Sequence, residues 1–152
     1  MSKKKQRDAD LILKLYDLRR EKTMREARDW FFTFNPQNPQ DFVDVLISDK
    51  SGYYRMVVSY WDMACSLVTH GAIDTEMFND ANGEHLAVYA KLEPFIPALR
   101  EAFGPQFVTN LEQVVKEIPD YEQRVAAFRE RMAKYGELIK QKNAAQAAAA
   151  GD

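Results

Sequence analysis

The stretch YYRMVVSYWDMACSLVTHG, residues 53–71, constrains the fold more than any other part of the chain. Its polar side chains recur at intervals of four, three, four and three residues, and they are Arg55, Ser59, Asp62, Ser66 and Thr69. This spacing places them along one side of a helix and leaves the remaining surface apolar. Other elements must cover such a helix on most sides, so we expect residues 53–69 to form the central buried helix of an all-α fold.

Helical periodicity continues along the rest of the chain and predicts a single-domain bundle of six or seven helices. The first apolar stripe runs from Leu11 to Phe34 but drifts after a six-residue step between Leu18 and Met24. Between residues 84 and 103, Pro94 and Pro97 each remove a backbone donor. That segment is either one kinked helix or two helices that meet near Glu93. At 152 residues the chain has the usual length of one domain.

The C-terminal part carries the most regular pattern. Apolar side chains alternate steps of four and three in a heptad repeat, at Tyr121, Val125, Phe128, Met132, Tyr135 and Ile139. Two interpretations remain open for this long helix. It packs against the first helix inside the bundle, or its apolar face forms the seam of a homodimer.

Composition at the two ends predicts three regions. Residues 1–10 form a basic arm, residues 11–142 the helical domain, and residues 143–152 an alanine-rich flexible tail. The beginning of the chain lacks the apolar run of a signal peptide, and no apolar run is long enough to span a membrane. Cys65 is the single cysteine, which excludes an internal disulfide. We therefore expect a soluble cytoplasmic protein.

The stretch HGAIDTEMFNDANGEH, residues 70–85, holds both histidines of the chain together with four acidic residues. Each acidic residue has an ordinary structural interpretation. Gly71 ends one helix, Asp74 caps the next, Glu76 lies in its first turn, Asp80 lies in the turn that ends it, and Glu84 opens the following helix. The spacing matches no compact metal-binding motif, and Cys65 and His70 point about 140° apart on a helix. We therefore predict no catalytic residues, no metal site and no cofactor.

The net charge of the chain is −2, but the charged residues are unevenly distributed along it. Residues 1–28 carry ten Lys/Arg against five Asp/Glu, residues 29–122 carry five against fifteen, and residues 123–152 carry six against three. The basic ends either pack on the acidic middle or contact phosphates. The candidate contacts for a phosphate or a partner are Arg19, Arg20, Arg25 and Arg28.

A second polar candidate is the pair Arg55 and Asp62, which lie two turns apart on the polar stripe. They line either a cleft for a small ligand or a solvated helix face. With no catalytic motif in the chain, the sequence favours a non-catalytic interaction or assembly module that acts on a protein partner or on a second copy. Nucleic-acid binding through the basic first helix is the alternative, and a small-ligand pocket near Arg55 and Asp62 is a third.

Three segments resemble a bacterial family of small all-helical domains of unknown function: residues 16–31, 59–80 and 89–101. The shared features are a basic opening helix that ends in an aromatic residue, an apolar helix that closes on x-x-G-x-(Ile/Leu)-Asp, and an aromatic helix broken by proline. The corresponding residues are Arg19, Arg20, Arg25, Arg28, Trp30, Gly71, Ile73, Asp74, Tyr89 and Pro94. The resemblance covers residues 11–118. It implies a helical fold and no activity. Many members carry an N-terminal membrane helix, which this sequence does not predict.

Overall fold

The computed structural model describes residues 2–151, and in that range the chain is helical without a β-strand. The predicted all-α class is confirmed. The helices are α1 (Lys3–Arg19), α2 (Lys22–Thr33), α3 (Pro39–Leu46), α4 (Ser51–Thr69), α5 (Thr75–Ala81), α6 (Glu84–Leu92), α7 (Ile96–Phe103), α8 (Thr109–Lys116) and α9 (Tyr121–Ala150), with a 3₁₀ turn at Glu93–Phe95. The described residues thus form more helices than the predicted six or seven.

One extra helix arises because the first predicted helix is interrupted between Arg19 and Lys22. The side chain of Glu21 accepts hydrogen bonds from the backbone N–H groups of Thr23 and Met24, which caps the start of α2. The six-residue step in the apolar stripe lies at this break. A continuous helix would turn Leu18 and Met24 away from a common face, and Leu18 is indeed exposed while Met24 is buried.

The proline-containing segment forms two helices, which confirms the predicted alternative of two helices that meet near Glu93. Helix α6 ends at Leu92, a 3₁₀ turn spans Glu93–Phe95, and α7 begins at Ile96. Pro94 and Pro97 each stand in the first positions of their own element, where a missing N–H leaves no helical hydrogen bond unmade.

Helix α4 packs against α2, α3, α6 and α8. Its inward side buries Trp61, Ala64 and Cys65 almost completely. The helix ends in a Schellman motif: the N–H of Ala72 bonds the carbonyl of Leu67, and Gly71 adopts a left-handed φ of 79°. The predicted glycine ending of this helix is confirmed.

The chain divides into two compact units, Met1–Pro119 and Asp120–Asp152, the second of which contains α9. Helix α1 begins at Lys3, so most of the predicted basic arm, residues 1–10, is helical, and Met1 lies outside the described residues. Helix α9 continues to Ala150 and includes most of the predicted tail. Among residues 2–151, no helix combines the length and the apolar character that crossing a membrane requires.

Candidate functional site

A cavity of about 540 Å³ opens beside the polar stripe of α4, within the first unit. Most of its wall is apolar, with Leu46, Val58, Phe103 and Phe107 among the lining side chains. Arg55, Ser59 and Asp62 also belong to the lining. The two residues singled out from the sequence as a polar pair therefore lie in the wall of one cavity.

Asp62 has a structural task that the sequence did not reveal. Its Oδ1 accepts a hydrogen bond of 2.9 Å from the backbone N–H of Leu111, in the first turn of α8. The N-cap residue of α8, Val108, has no side chain that could accept such a bond. Asp62 thus supplies from α4 the carboxylate that normally comes from a helix's own N-cap residue.

Arg55 is exposed and far less engaged. Its Nε lies 3.3 Å from the hydroxyl oxygen of Ser51, one turn earlier on α4. Within residues 2–151 the structure gives Arg55 no carboxylate partner, although Asp62 stands on the same stripe. The two terminal nitrogens of this guanidinium therefore keep their donor capacity at the wall of the cavity.

Two of the residues that line the cavity, Val108 and Tyr54, have unusual features. Val108 adopts a left-handed backbone conformation with φ 48°, which is an outlier for a β-branched residue. Tyr54 is buried, and its hydroxyl has no hydrogen-bond partner in the described part of the chain. Burial raises the pKa of this phenol well above its ordinary value, so the hydroxyl stays protonated and remains a donor.

A charged cluster forms where α1, α2 and α6 meet. The carboxylate of Glu84 receives hydrogen bonds from the guanidinium of Arg28, at 2.9 Å from Nε and 2.7 Å from Nη2. Arg19 lies 3.6 Å from the same carboxylate, and the indole N–H of Trp61 donates to it at 3.4 Å. The hydrogen bond to Glu84 raises the pKa of Arg28, and this effect exceeds the lowering of the pKa by desolvation.

This cluster separates the four arginines that the sequence grouped together. Arg19 and Arg28 are half-buried and engaged by Glu84, so a phosphate would have to compete with that carboxylate for either one. Arg20 and Arg25 are exposed, and the guanidinium of Arg20 lies 5.7 Å from the ring centre of Tyr16. Two of the four side chains are therefore directed to solvent and two to the interior of the first unit.

Lys91 is a further residue that the sequence did not single out. Its ammonium donates to the backbone carbonyls of Phe31, at 3.1 Å, and of Phe34, and so caps the end of α2. Burial lowers the pKa of Lys91 to about 8. Nothing in the local sequence of α6 indicates that Lys91 binds backbone carbonyls about 60 residues earlier in the chain.

The residues of the stretch 70–85 have separate positions. Asp74 caps α5 by accepting from the N–H of Met77, which confirms its predicted role. His70 is exposed just after α4, whereas His85 is buried in α6 with its Nε2 2.9 Å from the side-chain oxygen of Asn79. Burial also raises the pKa of the Cys65 thiol. Within residues 2–151, no three His, Cys, Asp or Glu side chains come together as metal ligands would.

The six heptad residues named from the sequence all lie on α9, in the second unit. Toward the C-terminal part of this helix, Tyr135, Leu138 and Ile139 are between 56% and 58% exposed. Their spacing of three and four residues places them on one face. These three side chains are open to solvent, whereas Val125 is buried and Phe128 and Met132 are half-buried, so the open part of the heptad face is its C-terminal half.

Residues 6–118 match the model of a family described as a domain of unknown function, DUF4760. The chain belongs to this family. The resemblance stated from residues 11–118 is thereby confirmed, and the match reaches slightly further toward the N-terminus. No curated protein and no solved structure matches the chain. The DUF4760 match ends before α9, so the exposed face of that helix lies outside the shared domain.

Proposed function

We propose that this DUF4760 protein is a non-catalytic cytoplasmic interaction module that forms a homodimer through the apolar face of α9. The observation that carries the proposal is the exposure of Tyr135, Leu138 and Ile139 on one face of a 30-residue helix. A surface of this kind loses free energy when it is removed from water, and each large side chain contributes about 1.5–3 kcal/mol when fully buried.

A second copy is the partner that suits this helix best. A heptad repeat presents its apolar residues every 3.5 residues, and another helix with the same repeat fills the spaces between them. Charged side chains next to this face, including Arg131 and Lys134, keep the free helix soluble. A homodimer would bury the apolar row and leave these charges at the rim.

The test is the mass in solution, measured by light scattering over a range of concentration and salt. We expect a species of twice the 17.6 kDa chain mass for the natural sequence. The double variant Leu138→Lys/Ile139→Glu keeps the net charge and should be monomeric. The matched control Ala133→Glu/Ala144→Lys places the same two charges on the opposite, exposed side of α9 and should remain dimeric.

Salt separates this function from nucleic-acid binding, the alternative suggested by the basic first helix. Apolar association is preserved at high salt, whereas phosphate contacts weaken steeply. A monomer at every concentration would contradict the homodimer, as would an equal loss of mass in the face variant and its control.

A further inference from the structure

The cavity beside α4 has the properties of a ligand site independent of α9. Its volume of about 540 Å³ lies within the usual range for small-molecule pockets, and its wall is mainly apolar with a few polar groups along one side. We propose that this cavity binds a small monocarboxylate with an apolar body, whose carboxylate pairs with the guanidinium of Arg55.

The charge of the ligand follows from the state of the two ionic side chains. Arg55 has no carboxylate partner among residues 2–151, and its terminal N–H groups match the two oxygens of a carboxylate. Asp62 is already occupied by the N–H of Leu111, and the positive end of α8 offsets its negative charge. Seven residues of helix place the Cα atoms of Arg55 and Asp62 about 10 Å apart along α4, which leaves room for a carboxylate on the Arg55 side.

The apolar body of the ligand follows from the opposite side of the cavity. Leu46, Val58, Phe103 and Phe107 contribute to the wall, and Phe103 is 47% exposed although it is a large aromatic side chain. A hydrocarbon chain placed against these residues would remove them from water. Because the wall offers few polar groups, a sugar or a nucleotide would leave its own hydroxyl or phosphate groups unmatched there.

Two departures from ordinary protein structure fall in the same wall and agree with a binding role. Val108 holds a left-handed conformation that a valine seldom adopts, and such backbone strain is concentrated at ligand sites. The buried hydroxyl of Tyr54 lacks a partner among the described residues, which is an exception to the usual pairing of buried polar groups. The wall of the cavity thus combines a cation without a carboxylate partner and a strained backbone residue, while the Tyr54 hydroxyl is enclosed behind it.

The experiment is a titration of the full-length ¹⁵N-labelled protein with octanoate, below its micellar concentration, followed by NMR. We expect saturable shifts at backbone amides of the lining residues. Across hexanoate, octanoate and decanoate the affinity should rise two- to fourfold for each added methylene group that is buried. Octanol, which has the same chain without the charge, should bind at least tenfold more weakly.

Three variants locate the ligand. Arg55→Gln should lower octanoate affinity at least tenfold and leave octanol affinity unchanged. Ser59→Trp fills the cavity from an exposed position of α4 and should abolish binding of both, with the helical content checked by circular dichroism. The control Arg25→Gln removes an exposed arginine that does not line the cavity and should bind as the natural protein does.

Either of two results would overturn the proposal. One is the absence of saturable shifts in the cavity with any of the three carboxylates, which would leave the apolar wall for a protein segment instead. The other is equal octanoate affinity in Arg55→Gln and Arg25→Gln. Failure here would not affect the homodimer, because that test concerns α9 alone.

Discussion

The Glu84 carboxylate links three helices of the first unit, and its replacement by glutamine should be one of the most destabilising single conservative changes in the chain. Arg28 reaches it from α2 with two hydrogen bonds, and Arg19 approaches from the end of α1. The Glu84 side chain is only 12% exposed, and the Arg19 and Arg28 side chains are 14% and 27% exposed. Glu84→Gln keeps the shape but leaves two half-buried guanidinium groups without a counter-charge.

The magnitude follows from the geometry. Removal of one partner from a fully buried ion pair costs about 3–5 kcal/mol, and a hydrogen bond to a charged group contributes about 1.5–3 kcal/mol. Since Arg28 is partly hydrated, we expect a loss of about 2–3 kcal/mol in the free energy of unfolding, within those limits. For a chain of this length that loss corresponds to a fall of roughly 4–12 °C in melting temperature.

The assay is urea unfolding followed by circular dichroism, with thermal melts as a second measurement. Glu101→Gln is the matched control, because Glu101 is an exposed glutamate on α7 and should change stability by less than about 0.5 kcal/mol. If Glu84→Gln and Glu101→Gln lower the free energy of unfolding by equally small amounts, the cluster contributes no net stability and the reasoning is wrong. Combining Glu84→Gln with Arg28→Met should cost less than the sum of the two single changes.

Two further predictions concern single positions. Burial lowers the pKa of Lys91 from its ordinary value of 10.5 to about 8, so between these pH values the unfolded chain binds more protons than the folded chain. The free energy of unfolding should therefore rise with pH in this window. The Lys91→Met variant should not show this rise when urea unfolding is measured across the same pH range. Gly71→Ala meets no neighbouring atom within 4 Å, so its expected cost of about 1 kcal/mol comes from the left-handed backbone alone. Gly52→Ala, in the first turn of α4, is the control and should be neutral or stabilising; an equal loss at both positions would contradict the backbone explanation.

Features governed by neighbours in the sequence could be predicted. The cap at Asp74, the end of α4 at Gly71 and the division near Glu93 each depend on one residue type acting within a turn of itself. The break at Glu21 was missed, although the drift of the apolar stripe marks its place. Glutamate is not among the preferred N-cap residues, so the usual cap signal was absent there.

Features that join distant parts of the chain could not be predicted. Arg28 and Glu84 are 56 residues apart, and the backbone N–H of Asp74 donates to the carboxylate of Asp8, 66 residues earlier. Helical periodicity tells which residues share a face but not which two faces meet. Val108, one of the residues that line the cavity, has a left-handed conformation that the identity of a valine argues against.

The charge layout shows that a count of charges does not tell which charges pair within the fold. The basic first segment and the acidic middle suggested either neutralisation within the fold or a surface for phosphates. At Glu84 the structure shows neutralisation, because one carboxylate of the middle engages both Arg19 and Arg28. Arg55, one of the five basic residues of the acidic middle, has no carboxylate partner among residues 2–151 and lines a cavity. The proposal of a ligand site therefore rests on Arg55 and the apolar wall beside it, and not on the excess of arginine in the first helices.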